Sequence, residues 1–374
     1  MSNAPVVDIA IRNPYGVVAA NVNDYLYFQG TLIANTIGRT TLIVSGDFPR
    51  DLIRRGMWLD VWWAPYPGFT LRPWRCYELQ KPTYIDDEKG LRTWKVEGMD
   101  LKSILQKRRI RADKGSTQAD KQGPVETVMK SYVTDHKRTL TTAYGLTVAP
   151  NHGRGPVIKK EAGRGNLYTV LQDLAKAAAE ADNAALVYFD VLEQYTAEGL
   201  TTLFQVWMGE LGVNQAESSP SPLILSKSTG TITKLEYVED GEKEVNRVDV
   251  GGKSDSTGRA VVTVEDSLRA NAFPGALVEG WTEKSDTSDN VTLQNVGYKV
   301  LRENNVVRKV TVTFADSLAV RIGRDINHGD RCLVHIEQLD RLLPARLTSL
   351  VLTSEKGRVT IQGTLDVFEV IDGT

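Results

Sequence analysis

Alternating apolar and polar residues occupy both ends of the chain, and this period of two is the feature that most restricts its fold. Near the start, "VVDIAIRN" and "TTLIVSGDF" alternate in this way, and near the end "VVRKVTVTFAD" does the same. Successive side chains of a β-strand point to opposite faces, so each run predicts a strand with one buried face. The segments 329–336 and 345–371 together add three or four more strands with short turns.

The middle of the chain changes to helical spacing. "PVETVMKSYVTDH" begins with a proline at the first helical position, and "NLYTVLQDLAKAAAEADN" begins with Asn166 as a helix cap and is rich in alanine. Helices between two strand-rich regions predict an α+β protein that is predominantly β, with two small β-barrel or sheet domains and a helical insertion.

The chain of 374 residues is long enough for several domains. We expect a first β-barrel domain over 1–110, a helical insertion with a β-hairpin over 111–212, and a second β-rich half, including a second barrel, over 213–374. Within the insertion, residues 111–123 have almost no apolar content and predict an exposed loop.

Four of the seven tryptophans lie in the stretch "MWLDVWWAPYPGFTLRPW". A period of two puts Met57, Leu59, Val61 and Trp63 on one face of a strand, and Trp58, Asp60 and Trp62 on the other. The first face is apolar and should pack in a core. The second face, with a carboxylate between two indoles, favours an interdomain or intersubunit contact, since interfaces are rich in Trp. A sugar-stacking platform remains the alternative, and base stacking is disfavoured because residues 57–71 contain no Lys or Arg.

The charge is unevenly distributed, although the net charge is only −2. Residues 101–165 contain 14 Lys and Arg against five Asp and Glu. Such a block is typical of a solvated surface and is also found where a partner docks. We include Arg109, within this block, among the candidate interface residues.

No pattern in the sequence indicates catalysis, a cofactor or a metal. Cys76 and Cys332 are far apart and the four histidines are scattered, which is poor spacing for metal ligands. The "GGKS" at Gly251 lacks the earlier glycine of a phosphate loop, because Arg247 stands in its place. We therefore expect a binding or assembly protein rather than an enzyme.

Four segments, taken in order, resemble the tail hub proteins of tailed bacteriophages, which comprise the baseplate hubs of contractile tails and the tail-tip or tail-associated proteins of siphophages. The first is "WKVEGMDLKSILQKRRI", a strand, a turn at Gly98 and a short helix that ends near Arg109. The second is the helical middle from Val125 to Asp190. The last two are "NRVDVGGKSDSTGR" and "VTVTFADSLAVRIGRDINHGDRCLVHI".

The resemblance implies two similar β-barrels per chain and a homotrimer around a central channel. Such a trimer would join the sixfold tail tube to a threefold central spike or fibre, contact the distal tail or tube protein and the tape measure protein, and close the channel. Viral DNA would pass through without specific binding, and no stable membrane insertion is expected. The implied location is the virion tail tip, after assembly in the host cytoplasm. The alternative is a carbohydrate-binding, cell-wall-binding or carbohydrate-active protein that uses the face of Trp58 and Trp62.

Overall fold

The structure is a computed structural model, and it describes residues 5–66, 68–112, 118–181, 186–216, 222–255, 258–315 and 320–368. Within these ranges the chain forms 21 strands, six α-helices and two 3-10 helices, at Arg50–Leu52 and Glu337–Leu339. None of the helices within the same ranges is long and apolar enough to cross a membrane.

The strands, numbered in chain order, are β1 (Val6–Arg12), β2 (Val18–Asn21), β3 (Tyr27–Ile33), β4 (Arg39–Ser45), β5 (Trp58–Ala64), β6 (Arg72–Asp86), β7 (Arg92–Asp100), β8 (Ala119–Pro124), β9 (Leu146–Val148), β10 (Val157–Ala162), β11 (Val187–Thr196), β12 (Gly199–Met208), β13 (Ile224–Leu225), β14 (Ile232–Asp240), β15 (Arg247–Asp255), β16 (Gly258–Glu265), β17 (Glu279–Glu283), β18 (Val307–Phe314), β19 (Arg331–Ile336), β20 (Arg341–Glu355) and β21 (Arg358–Val367). The α-helices are α1 (Ser103–Gln106), α2 (Val125–His136), α3 (Leu140–Tyr144), α4 (Leu167–Ala181), α5 (Ser267–Ala270) and α6 (Asn290–Glu303).

The largest sheet contains strands from both ends of the chain. Eleven of its 13 strands follow the order β14-β18-β21-β20-β3-β4-β7-β6-β5-β1-β2, and the other two are β19, which pairs with β20, and β13, which pairs with β19. The two ends of the chain meet where β3 pairs antiparallel with β20, with Leu32 opposite Leu350. Among the described strands this order is open at β14 and β2 and does not close into a barrel. The expected α+β class with a predominance of β structure is confirmed.

The chain divides into two compact units. The first comprises residues 1–236 and 311–374, and the second comprises 237–310. The division of the sequence at residues 110 and 212 stays a prediction.

The helical middle of the chain builds its own core within the first unit. Leu167, Leu171, Leu174 and Ala178 on α4 are fully buried, at the spacing that places them on one face of a helix. This face packs with α2 and the antiparallel hairpin of β11 and β12. As predicted, Asn166 caps the helix, since its Oδ1 accepts a hydrogen bond of 3.0 Å from the amide of Tyr168.

The prediction of an exposed loop over 111–123 is wrong for the last part of this segment. Residues 113–117 lie outside the described ranges, but Ala119–Pro124 form β8, which pairs antiparallel with β10. In β8, Ala119 is fully buried and most of the other side chains are polar and exposed or partly exposed. A two-stranded ribbon needs backbone pairing more than apolar side chains, so no alternation marked this strand in the sequence.

The second unit is a three-stranded sheet with one helix on it. The strand order is β16-β15-β17, and α6 packs on one face. The buried side chains between sheet and helix are Val248, Val250, Val264, Leu293 and Leu301. The sequence "GGKS" lies in β15, in a strand and not before a helix, which agrees with the dismissal of a phosphate loop.

Candidate functional site

Both faces of β5 are covered by protein. Leu59, Val61 and Trp63 are buried, and Trp63 packs edge-on against Trp74 with ring centroids 5.5 Å apart. The opposite face, with Trp58 and Asp60, is buried as well. It meets the helical middle of the chain and the hairpin of β11 and β12. The strand therefore lies between the large sheet's own core and the core of the inserted segment.

Trp58 is a packing residue within one chain. Its side chain is only 1% exposed, and its indole stacks on Tyr144, at the end of α3, with centroids 5.7 Å apart and ring planes 3° apart. An indole in this position has no free face for a sugar ring. The contact couples the first sheet to the helical middle, and both belong to the first unit.

Asp60 ties three strands together. Its carboxylate accepts hydrogen bonds from Arg12 Nε at 2.7 Å on β1 and from Trp62 Nε1 at 3.1 Å on β5. A third bond of 2.8 Å comes from the hydroxyl of Tyr195 on β11. Burial, the nearby carboxylates and this bond raise the pKa of Tyr195. Trp62 is partly exposed and packs on Tyr195 with centroids 4.8 Å apart. Asp60 is fully buried, so its three donors replace the water that a charged carboxylate needs.

A second group of charges lies between β6, β7 and β11. Arg75 is ion-paired with Asp190, and its guanidinium lies 3.6 Å from Asp100 and 3.7 Å from Glu193. Lys102 Nζ lies 2.8 Å from Asp100 and 3.3 Å from Asp190. We call these five residues together with Asp60 the charged clasp. It joins the first sheet to the hairpin of the inserted segment.

The electrostatics of the charged clasp follow from burial and from the excess of carboxylates. Burial works to raise the pKa of Asp190, but the charges of Arg75 and Lys102 outweigh it, so this pKa is lowered. The pKa of Glu193 is raised, because burial and the charge of Asp190 outweigh the attraction of Arg75. The Glu193 side chain is also held by the amide of Cys76, which donates a hydrogen bond of 2.8 Å. These groups satisfy each other and hold two layers of the fold in register.

A third ion pair lies on the same side, beside Trp58. Lys107 Nζ donates to both carboxylate oxygens of Glu78, at 2.6 Å for Oε1, and it also contacts the hydroxyl of Tyr144. The same hydroxyl donates to Glu78 at 3.1 Å. The Tyr144 ring is thus fixed by a charge network at its edge and by Trp58 on its face.

Burial shifts the pKa values of two reactive side chains near the clasp. Burial and the charge of Asp60 raise the pKa of the Cys76 thiol well above its usual value, which disfavours the nucleophilic thiolate. Burial likewise lowers the pKa of His328, whose ring nitrogen lies 2.9 Å from the carbonyl of Thr348. In the part of the chain that the structure describes, no group of three or more His, Cys, Asp and Glu is arranged to hold a metal ion.

The structure brings three of the four candidate interface residues together and leaves the fourth apart. Trp58, Asp60 and Trp62 share one face of β5. Arg109 is exposed, and its guanidinium donates to the carbonyl of Arg164 at 3.3 Å. Contact of these residues with another subunit stays a prediction.

Sequence reasoning missed Arg75, Asp100, Lys102, Asp190 and Glu193. One signal was present, because Arg75 stands between Trp74 and Cys76 in a strand whose neighbouring residues are buried. A cation at such a position needs an internal carboxylate. The partner could not be named, since Asp190 and Glu193 lie 115 and 118 residues further along the chain.

A family model covers most of this architecture. The model of the Siphovirus ReqiPepy6 Gp37-like proteins matches residues 74–365, which includes Arg75, the rest of the charged clasp apart from Asp60, and the second unit. The chain belongs to this family. Among curated proteins, none matches the chain.

Solved structures of phage tail proteins share the fold. The chain is similar to the 43 kDa tail protein of prophage MuSo2 from Shewanella oneidensis, with a TM-score of 0.60, 13% identity, and coverage of 96% of this chain and 98% of that one. It is similar to the tail protein from Neisseria meningitidis MC58, with a TM-score of 0.59, 13% identity, and coverage of 98% and 97%. It is also similar to the prophage tail protein gp18 from Listeria monocytogenes EGD-e, with a TM-score of 0.51, 10% identity, and coverage of 96% and 94%. Family and fold together confirm the resemblance to phage tail proteins.

Proposed function

We propose that this protein is a structural component of a phage tail and forms the homotrimeric hub at the tail tip or baseplate. The observation that carries the proposal is the match of nearly the whole chain to nearly the whole of two tail proteins, one of them from a prophage. The match of residues 74–365 to the model of a siphovirus protein family supports the same assignment. As the hub, the trimer joins the sixfold tail tube to a threefold central spike or fibre and closes the DNA channel.

The partners follow from this position. The tail tube or distal tail protein lies above the hub, the tape measure protein ends on it, and the spike or fibre lies below. Assembly takes place in the host cytoplasm, and the mature location is the virion tail. DNA passes through the channel after receptor binding without sequence-specific contacts.

The role we propose is mechanical, not enzymatic. The support is the arrangement of the buried charges. Arg75 and Lys102 form ion pairs with Asp190 and Asp100 between two layers of the fold. Removing one member of such a group leaves an uncompensated buried charge, so each charge depends on the two layers keeping their relative position. A part that transmits load between a tube and a spike needs this rigidity.

The carbohydrate alternative has less support. It needs Trp58 and Trp62 as an exposed platform, whereas Trp58 is 1% exposed and stacked on Tyr144. Trp62 alone is partly exposed, and its Nε1 is bonded to Asp60.

The test combines solution mass with position in the particle. Light scattering of the purified chain should give three times the monomer mass of 41.4 kDa, at least in the presence of the tube or spike partner. Gold-labelled antibody against this chain should mark the tail tip of intact particles in electron micrographs. Label on the capsid or along the tube, or a chain that stays monomeric with its partners, would rule out the hub.

A further inference from the structure

Five arginines lie together on one surface of the first unit. They come from three places in the chain: the segment after α1, the residues after α2 and the turn before α4. The five are Arg108, Arg109, Arg111, Arg138 and Arg164. We call them the arginine surface.

Three of the five guanidinium groups are anchored by hydrogen bonds within the same surface. Arg138 Nη2 donates to the carbonyl of Arg109 at 3.0 Å, and Arg109 Nη1 donates to the carbonyl of Arg164 at 3.3 Å. Arg108 donates to the carbonyl of Lys107 at 2.9 Å and to the hydroxyl of Thr139 at 2.6 Å. Each guanidinium has five N–H donors, and these bonds use only one or two of them. The side chains of Arg108, Arg109 and Arg138 are therefore held in place, and Arg109 and Arg138 keep further donors for a ligand.

The positive charges of this surface are not balanced locally. Among the described residues, no carboxylate forms an ion pair with any of the five arginines, although carboxylates pair with most other cations of the first unit, such as Arg75, Lys107 and Lys130. Burial and the charges of Arg111 and Arg108 lower the pKa of Arg138. Crowded like charges raise the free energy of the isolated chain, and a bound anion would relieve that cost.

The backbone at two of these positions is strained. Arg138 has φ of 42° and Arg164 has φ of 54°, in the left-handed region that glycine favours. In this region a residue with a side chain has a conformational free energy higher by about 1 kcal/mol or more, and such residues are frequent at functional sites. The strain is an observation independent of charge, and it falls on two members of the same surface.

We propose that the arginine surface docks an acidic protein surface, one that presents clustered Asp and Glu and belongs to a different component of the tail; the proposal rests on the proposed role as a tail protein. Protein interfaces are enriched in arginine relative to the rest of the protein surface. The planar guanidinium also forms paired hydrogen bonds with a carboxylate, which an anchored side chain can make at a low entropic cost.

Other occupants fit the observations less well. DNA must move through the hub, and clustered arginine contacts with phosphates would hold it back. A second copy of this chain could offer only carboxylates outside the charged clasp and other than Glu126, because those are already paired internally. Both occupants are outcomes of the test below.

The first experiment identifies what touches the surface. We would place the photo-cross-linking residue p-benzoylphenylalanine at position 111 of the full chain, irradiate assembled particles and sequence the adduct by mass spectrometry. The expected adduct is a peptide of another tail protein with several Asp and Glu near the cross-link. An adduct with DNA, an adduct with a second copy, or no protein adduct in particles whose tails contain this chain would overturn the docking.

The second experiment measures what the charges contribute. The double variant Arg109→Gln/Arg138→Gln should lower the yield of intact tails by about tenfold or more, since interface arginines with paired bonds are often hot spots. The matched control is Arg54→Gln/Arg55→Gln, which removes the same charge from two exposed arginines elsewhere. Arg109→Lys/Arg138→Lys keeps the charge but loses the planar fork and should fall between. Equal yields from the two glutamine variants would overturn the proposal.

Two readouts keep this result separate from folding and from the hub assignment. Thermal melting of each purified variant should match the unsubstituted chain, so a loss of yield does not reflect unfolding. Antibody labelling of the tail tip in the unsubstituted particle tests the hub by itself. Tail-tip label combined with no effect of the glutamine variant would leave the hub standing and remove the docking surface.

Discussion

At the scale of single residues, buried charged side chains connect the layers of the first unit. Asp60 and Arg75 both stand in strands whose neighbouring side chains are apolar and buried. Each is compensated by residues more than 40 positions away, Arg12 and Tyr195 for Asp60 and Asp190 for Arg75. A buried charge without its partners costs several kcal/mol, so these positions should tolerate substitution poorly.

Arg75 provides the sharpest test of this idea. The substitution Arg75→Met should lower the free energy of unfolding by about 3–5 kcal/mol, because it leaves Asp100, Asp190 and Glu193 with too few cations. The measurement is urea denaturation followed by tryptophan fluorescence. The control Lys95→Met breaks a surface pair with Glu97 and should cost about 0.2–1 kcal/mol. Similar losses for both variants would contradict a structural role for the clasp.

Glu126 should make the stability depend on acid pH. Burial would raise its pKa, but hydrogen bonds from Arg154 and Lys130 lower the pKa from 4.5 to about 2. A pKa that folding lowers stabilises the protein above the unfolded value, and this contribution is lost as pH falls from about 4.5 towards about 2. Its size is on the order of 3 kcal/mol. Denaturation at pH 7, 4 and 3 should show the decline.

A variant isolates this group from the other carboxylates. In Glu126→Gln the free energy of unfolding at pH 7 should already be lower, and its further loss between pH 4.5 and 3 should be smaller. The control Glu161→Gln changes an exposed carboxylate that pairs with Lys159 and should keep the full acid dependence. An unchanged pH profile in Glu126→Gln would disprove the assignment.

At the scale of elements, helices with a clear apolar face were predicted well, and strands without one were not. For α4 the spacing, the alanine content and the Asn166 cap all agreed, and each is a local property. For β8 the decisive partner is β10, and the pairing lies in backbone bonds that the side chains do not reveal. The charged clasp could not be predicted from the sequence for a related reason, since its residues come into contact only when three strands and a hairpin have packed together.

The contact of α6 with its sheet is set by one glycine. A Cβ at Gly297 would lie 2.5 Å from Cγ2 of Val264 and 2.9 Å from its Cβ, on a strand that cannot easily retreat. Alanine would add about 1 kcal/mol of helix propensity, but overpacking of a core usually costs about 1–3 kcal/mol. We therefore expect Gly297→Ala to destabilise the second unit, as measured by thermal denaturation.

The double variant Gly297→Ala/Val264→Ala tests the reason. Removing the valine methyl groups relieves the closer clash, at 2.5 Å, while the Cβ of residue 264 stays; the double variant should therefore be more stable than the sum of the two single effects predicts. Additive effects would mean that the helix does not rest on Val264 at this distance.

At the scale of the whole molecule, the chain leaves the first unit and returns to it at neighbouring positions. The amide of Ala315 donates to the carbonyl of Thr231 at 3.0 Å, and β14 and β18, the two strands through which the chain leaves and returns, are neighbours in the large sheet. The second unit has its own core between β15, β16 and α6. Each unit should therefore be able to fold by itself.

A deletion tests this independence. Replacing residues 241–306 with Asn-Gly joins β14 to β18 by a two-residue turn suited to an antiparallel hairpin. The shortened chain should keep a cooperative thermal transition and the near-UV circular dichroism of its buried tryptophans, such as Trp58 and Trp63. Loss of the cooperative transition would show that the first unit depends on the second.

The sequence by itself determined the class of the fold, the main helices and the separation of β5 into two faces, because periodicity and capping depend on neighbours a few residues away. Four ordered motifs were enough to place the chain near phage tail proteins. Only the tertiary structure decided that β3 pairs with β20, that Trp58 stacks on Tyr144, and that Arg109 joins Arg138 and Arg164. These contacts join residues far apart in the chain, and their stability comes from burial and charge pairing that exist only once the layers have met.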